Sequence, residues 1–279
     1  MNDLSALNRG LRSRTEPITA RCAVLIPHYN NPEGLLKSLS SIGKDEAVDV
    51  WVVDDGSQRK PDETAAKKAF SGLIRFGYLP RNQGIQFALN AGLLEIEQQY
   101  EYVARLDCGD TCAPNRFRVQ MDFLDNNRKI MLLGSAVTFV DTEGDPQYTL
   151  TLPVGAQKIR RAMHLNCAFV HPAVMWRCSV ITRLGSYPTD YPMAEDYAFF
   201  WKFVSRFETA NMQAALVSCE VNPNGLSISR RKQQLQSRLR LQLRYARANA
   251  ATVYGVIKTL ALMAIPYSLV LGLKRRWKR

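Results

Sequence analysis

Carboxylates stand at three places in this chain where they can do more than solvate a surface. Asp54 and Asp55, followed by Gly56 and Ser57, close an apolar, β-branched run at residues 48–53. Asp-Gly is turn chemistry. A carboxylate at a strand end can equally accept hydrogen bonds from a base or a ribose, and the residue types leave both readings open. Asp107 and Asp110 close a second run, residues 102–106. Acids there can hold a divalent cation that bridges the two phosphates of a nucleoside diphosphate. Asp110 also precedes Pro114, as an N-cap precedes an early helical proline, and both readings can hold at once. Glu195 and Asp196 form a third pair, which by type alone reads as an exposed helix N-terminus where acids complement the dipole. Of the three histidines, His28 reads as facing solvent beside the first strand, and His164 as structural. His171, next to Pro172, suits either a phosphate contact or a packed, hydrogen-bonded imidazole. Cys108 and Cys112 are four apart without a second ligand pair, so isolated buried thiols are expected in place of a zinc site.

Strands and helices must alternate to present these groups together. Residues 22–26, 48–53, 73–79 and 102–106 read as strands, and residues 32–42, 62–70 and 84–98 as helices. That order predicts an α/β fold with a mostly parallel sheet flanked by helices. Ligands of such sheets bind beyond the carboxyl ends of the strands. The polar clusters at 27–30, 54–57 and 107–110 fall at those ends.

The 279 residues suffice for one α/β domain with an appendage, and the 46% hydrophobic content is ordinary for a globular chain. No apolar signal-peptide core opens the sequence, so the 6 cysteines imply no oxidising compartment. The net charge of +12 is unevenly placed. No Asp or Glu follows Glu220, and 13 of the 37 Lys and Arg lie from Arg230 onward, leaving 24 basic against 25 acidic residues elsewhere. Residues 233–250 read as a basic helix. Residues 251–273 are largely apolar, broken by Lys258 and Pro266, and the basic run 274–279 ends the chain. A nucleic-acid arm has no need of the apolar stretch, so an anionic membrane is the expected partner, with no nucleic acid. The expected form is a helix or broken hairpin lying in the interface, with Trp277 as its aromatic anchor. A helix packed on the body is the alternative.

The segments CAVLIPHYNNPEGLLKSLSSI, VDVWVVDDGS, RNQGIQFALNAGL, YVARLDCGD, PNRFRVQMDFL, HPAVMWRCSVITRLGSYP and AEDYAFFWKF occur in this order over roughly residues 22–207. In that order they resemble the family 2 glycosyltransferases of the GT-A fold, and within them bacterial transferases that build O-antigen, lipopolysaccharide or capsule units. The resemblance implies a Rossmann-like catalytic domain at 21–225, after a leader at 1–20 and before a basic, apolar, membrane-associating helical region at 226–279. It implies donor contacts from Pro27, Tyr29, Asn30, Asp54, Asp55, Arg81, Asn82, Gly84, Asn90 and Asp107. It places Asp107 and Asp110 on a manganese or magnesium ion, His171 and Glu195 on the acceptor or phosphate side, and Asp196 as the general base of an inverting reaction. The implied donor is a nucleotide sugar carried on UDP. The implied acceptor is a saccharide or a sugar linked to polyprenyl diphosphate, met at the cytoplasmic face of the membrane by a peripheral or monotopic enzyme.

Two departures from the family pattern bear on these expectations. Gly109 stands where members commonly carry a central carboxylate. Gln234 and Arg238 are followed by no nearby Trp, so the box of processive synthases is missing and one sugar per acceptor is expected. Two other readings are a non-catalytic membrane binder on a degenerate fold and a nucleotidylyltransferase. The latter requires a Gly-rich phosphate loop that IPHYNNPEG does not supply.

Overall fold

The computed structural model describes residues 18, 20–221 and 230–265. The expected anchor Trp277, the basic run 274–279 and most of the leader lie outside the described residues.

β1 (Cys22–His28) and β2 (Val48–Asp54) are buried at every position. Their near-continuous apolar sequence follows from having both faces covered. β1 pairs in parallel with β2 and with β4 (Tyr102–Arg105), and β2 pairs in parallel with β3 (Ile74–Tyr78). α1 (Pro32–Ser40), α2 (Glu63–Ala69) and α3 (Ile85–Ile96) make the crossovers. Asn31 caps α1 by accepting from the Gly34 N–H at 3.0 Å, and Asp62 caps α2 by accepting from the Ala65 N–H at 2.9 Å.

Beyond β4 the sheet changes direction. β8 (Met175–Arg177) pairs antiparallel with both β4 and β6 (Ile130–Val140). β6 continues parallel to β9 (Glu208–Glu220), which pairs antiparallel with β5 (Thr111–Cys112). β7 (Pro146–Leu150) returns antiparallel along β6. The nine-stranded sheet is therefore mixed, and the mostly parallel arrangement holds only for its first four strands. β8 has three residues, too few for any periodicity. It follows directly on the short 3₁₀ turn His171–Ala173.

α4 (Arg116–Asn126), α5 (Ala156–Met163), α6 (Ile181–Leu184) and α7 (Glu195–Arg206) complete the body. α7 buries Phe199, Phe200, Trp201 and Phe203, with Phe199 and Phe203 against Trp176 and the Tyr187 ring stacked on Phe199 at 4.0 Å. α8 (Arg231–Arg244) is packed on this body. Leu241 joins the main core, Ser237 Oγ donates to the Pro192 carbonyl at 2.8 Å, and Tyr245 just beyond stacks on Trp201 at 4.6 Å. α9 (Ala250–Ala264) lies against α8. Among the described residues no helix is long and apolar enough to cross a membrane. All six cysteines are free.

Candidate active site

The carboxyl ends of β1 and β2 are tied to each other. The parallel register sets His28 beside Asp54. His28, expected to face solvent, is instead 1% exposed. Its Nε2 accepts from the Asn31 N–H at 3.2 Å, so Nδ1 carries the proton and donates to Asp54 Oδ1 at 2.7 Å. The second Asp54 oxygen accepts from the Ser57 N–H at 2.9 Å, which is the turn chemistry expected of this dipeptide. Asn30, at φ 52°, accepts on Oδ1 from the Gln58 and Arg59 N–H groups at 2.9 and 3.0 Å. Pro27 is buried before this turn, and Tyr29 is half exposed on it.

Asp55 holds the neighbouring loop. Its two oxygens accept from the Gln83 and Gly84 N–H groups, both at 2.8 Å. Gly56, at φ +66°, lets that loop lie on the strand end, for a Cβ there would come within 2.4 Å of Arg81 Cα. Arg81 and Asn82 are exposed on the loop. Asn90, one turn into α3, accepts from the Tyr187 N–H at 2.7 Å and donates to the Tyr187 carbonyl at 2.9 Å. Its amide is thus a clamp on the segment carrying Tyr187.

A carboxylate cluster lies at the end of β4. Arg105, fully buried, donates from Nη2 to Asp107 Oδ1 and from Nη1 to the Leu25 carbonyl. Its Nε donates to His171 Nε2 at 3.3 Å, and the same nitrogen accepts from the Tyr187 hydroxyl at 2.9 Å. Burial and the Arg105 charge push the His171 pKa down to about 3, so this imidazole is neutral in the working range. Ser38 Oγ, on the buried face of α1, lies 2.7 Å from the Asp110 carbonyl and accepts from the Gly109 N–H at 2.9 Å. Gly109 sits at φ +107°, a conformation that side chains rarely adopt. This backbone accounts for glycine at the position where the family commonly has a carboxylate.

Asp110 does not cap the following helix. Its Oδ1 accepts from the Glu220 N–H of β9 at 3.2 Å. The first turn of α4 is capped instead by Glu46, whose oxygens accept from the Phe117 and Arg118 N–H groups, both at 2.9 Å. Glu195 and Asp196 form the first turn of α7, as the helix-terminus reading expects, but they are half-buried there where that reading has them exposed. The N-terminal approach to that turn is gripped by α8, since Arg240 Nη1 donates to the Asp190 carbonyl at 2.9 Å and Arg244 Nη1 to the Tyr191 hydroxyl at 3.0 Å.

Asp107 is close enough for its charge to act on all three other acids. Burial and the Asp107 charge push Asp110 up to about 7. Burial, Asp196 and Asp107 push Glu195 up to about 7. Burial and Asp107 push Asp196 up to about 6, against the Tyr197 N–H, which lowers it. Hard carboxylate oxygens crowded beyond what one arginine compensates suit a Mn²⁺ or Mg²⁺ ion, so Asp107 and Asp110 fit the expected metal. A second acidic group, Asp141, Glu143 and Asp145, sits in the exposed β6–β7 turn. There the Asp141 carboxylate accepts from the Glu143 and Asp145 N–H groups at 3.1 and 2.9 Å, which makes it a turn.

These shifts have a measurable consequence. Asp110, Glu195 and Asp196 bind protons more tightly in the folded chain than in the unfolded one. The folded state therefore loses stability through them as pH rises from about 4 to 7. His171, with its lowered pKa, acts in the opposite sense below about 6.5, so wild type and variant must be compared. In metal-free thermal unfolding, Asp107→Asn is expected to gain stability relative to wild type as pH rises through 4 to 7. A difference that stays flat with pH rejects the coupling.

Arg105, Ser38 and the His28–Asp54 pair did not stand out in the sequence. A legible signal existed for Arg105 alone, an arginine inside the apolar strand Tyr-Val-Ala-Arg-Leu.

A model of glycosyl transferase family 2 matches residues 23–185. The amylovoran biosynthesis glycosyltransferase AmsE of Erwinia amylovora is 28% identical over 85% of this chain and 92% of its own. An Escherichia coli UDP-Gal:alpha-D-GlcNAc-diphosphoundecaprenol beta-1,3-galactosyltransferase is 29% identical over 71% of this chain and 74% of its own. Among solved structures, Staphylococcus aureus TarS 1–349 with UDP-GlcNAc superposes with a TM-score of 0.64 at 19% identity, covering 86% of this chain and 71% of that one. The mannosyltransferase PcManGT of Pyrobaculum calidifontis with GDP-Man and Mn²⁺ gives 0.59 at 16% identity, covering 98% and 86%. The strand ends that gather His28, Asp54, Asp55 and Asp107 are thus those of a known fold, and the chain belongs to glycosyltransferase family 2, an enzyme of the GT-A type.

Proposed function

We propose that the protein moves one sugar, with inversion, from a UDP-sugar onto a lipid-linked saccharide in the assembly of a surface polysaccharide. The observation that carries this reading is Asp196, half-buried in the first turn of α7, where partial desolvation and the Asp107 charge at the β4 end push its pKa up to about 6. A general base works best with a pKa near the operating pH. Asp196 takes the proton of the acceptor hydroxyl while that oxygen forms its bond to the anomeric carbon. The anomeric carbon–oxygen bond to the nucleoside diphosphate breaks, and its electron pair leaves with the phosphate. Attack opposite the leaving group turns an α-linked donor into a β-linkage.

Asp107 and Asp110 would hold the metal, which when bound would neutralise the leaving diphosphate. Pro27, Tyr29, Asn30, Asp54, Asp55 and the 81–84 loop line the nucleotide side, and Asn90 and Arg105 steady the wall behind it. Neutral His171 and Glu195 lie toward the acceptor. The lipid-linked acceptor is supported by the Escherichia coli relative, whose name specifies a diphosphoundecaprenol-linked sugar. An enzyme with such an acceptor works at the cytoplasmic leaflet, as a peripheral or monotopic protein.

A thermal-shift series with nucleotide sugars in Mn²⁺, Mg²⁺ or EDTA tests the donor assignment. A ligand that binds only the folded state adds about 2.7 kcal/mol at a hundredfold excess over its Kd. A metal-dependent rise with one UDP-sugar is the expected outcome. No rise with any nucleotide sugar, metal present, contradicts the reading.

A further inference from the structure

α9 has its polarity reversed for a helix packed on a protein. The residues it buries are Thr252, Gly255 and Thr259. Thr252 Oγ1 pairs with His164 Nδ1 at 3.1 Å, and a Cβ on Gly255 would lie 2.0 Å from the His164 carbonyl oxygen. The small polar seam is thus what lets α9 approach the body. Its outer face carries Val253, Tyr254, Ile257, Leu260 and Met263, between 38% and 61% exposed. An exposed apolar helix face of this kind marks an interaction surface.

A pocket of about 300 Å³ opens at the N-terminal end of the same helix. Arg160, Arg161, His164 and Arg247 line it together with Ala250 and Ala251 of the first helical turn. Arg160 donates to the Val204 carbonyl at 3.2 and 3.0 Å. The guanidinium groups of Arg161 and Arg247 have no hydrogen-bond or ion-pair partner among the described residues, and no acid lines the pocket. Two unpaired arginines at a helix N-terminus are a setting for a phosphate.

We propose that α9 docks on an anionic phospholipid bilayer, its outer face lying among the upper acyl chains and the arginine pocket receiving one phospholipid phosphate. This deepens the leaflet reading given above and rests on it. The occupant follows from charge and length. Every charged residue after Glu220 is positive. The 15 residues of α9 reach roughly 22 Å, short of a hydrocarbon core about 30 Å thick, so the helix lies on the bilayer.

The test is vesicle flotation of the full chain on phosphatidylcholine with and without phosphatidylglycerol, beside light scattering and transfer to a water-soluble acceptor. Wild type is expected to float with the phosphatidylglycerol vesicles. Ile257→Ser with Leu260→Ser is expected to weaken binding at least about tenfold. Arg161→Ala with Arg247→Ala is expected to weaken it roughly tenfold or more. Arg128→Ala with Lys129→Ala, an equal loss of charge at an exposed turn outside the tail helices and the arginine pocket, is expected to have a smaller effect. Transfer to the soluble acceptor should persist in all three, which separates this proposal from the transferase reading. Wild type left unbound by phosphatidylglycerol vesicles overturns the docking and the leaflet reading together. Binding unaffected by the Ile257 and Leu260 changes overturns the face alone. An arginine pair no more sensitive than the charge control overturns the pocket. A dimer that the Ile257 and Leu260 changes convert to monomer identifies a second copy as the occupant and overturns the bilayer assignment.

Discussion

Asp196→Asn is expected to lower turnover by roughly 10²–10⁴-fold, the usual contribution of a positioned general base. The amide keeps the size of the carboxylate but cannot take a proton. Donor affinity should persist, because the nucleotide side is built from β1, β2 and the 81–84 loop. Asp196 lies on α7, in a different part of the chain, and is tied locally to the Tyr197 N–H at 2.6 Å. The measurement is steady-state transfer beside donor binding on the same preparation. Loss of kcat with unchanged donor Kd is the expected split. A variant turning over near the wild-type rate rules out Asp196 as the base and directs attention to Glu195, the neighbouring acid pushed up to about 7.

Arg105→Met is expected to carry the largest stability loss, about 2–3 kcal/mol, because a fully buried guanidinium is removed from the buried backbone carbonyls it satisfies, while its partner Asp107 is only partly buried. Methionine has similar length and no donor. It would leave the Leu25 carbonyl, Asp107 and His171 without the guanidinium that now joins them. The midpoint of urea unfolding measures the effect, and an unchanged slope shows that the unfolded state is not what moved. Arg105→Lys should recover only part of the loss, since one ammonium cannot reproduce the planar fork. A shift in midpoint worth less than about 1 kcal/mol for Arg105→Met contradicts the central role given to this arginine.

Much of the first half of the fold was legible in the residues. β1, β2 and β4 end within two residues of the expected positions, because an apolar, β-branched run cut by polar turn residues is a local signal. The gathering of acids at those ends was legible for the same reason. The second half was not. β8 has only three residues and pairs with strands far from it in the chain, and the capping of α4 comes from Glu46, 71 residues before the Phe117 N–H it accepts from. The N-cap reading of Asp110 failed because α4 begins only at Arg116, with Asn115 at the N-cap position, five residues beyond it.

The sequence by itself determined the order of strands and helices through β4, the family, the acids available for chemistry and the one-sided charge of the tail. These depend on neighbours along the chain. Only the tertiary structure decided which of those acids hold loops and which hold raised proton affinities. Asp54 and Asp55 are taken up by N–H groups and an imidazole, whereas Asp107, held by a buried arginine, lies close enough to raise the proton affinity of Asp110 on one side and of Glu195 and Asp196 on the other. Burial and Coulomb energy depend on distance through space, and Asp107 and Asp196 lie far apart in the chain. The outward apolar face of α9 belongs to the same class of fact. Its residues were visible in the sequence, but which side of the helix met the body was settled by the small seam of Thr252, Gly255 and Thr259 against His164.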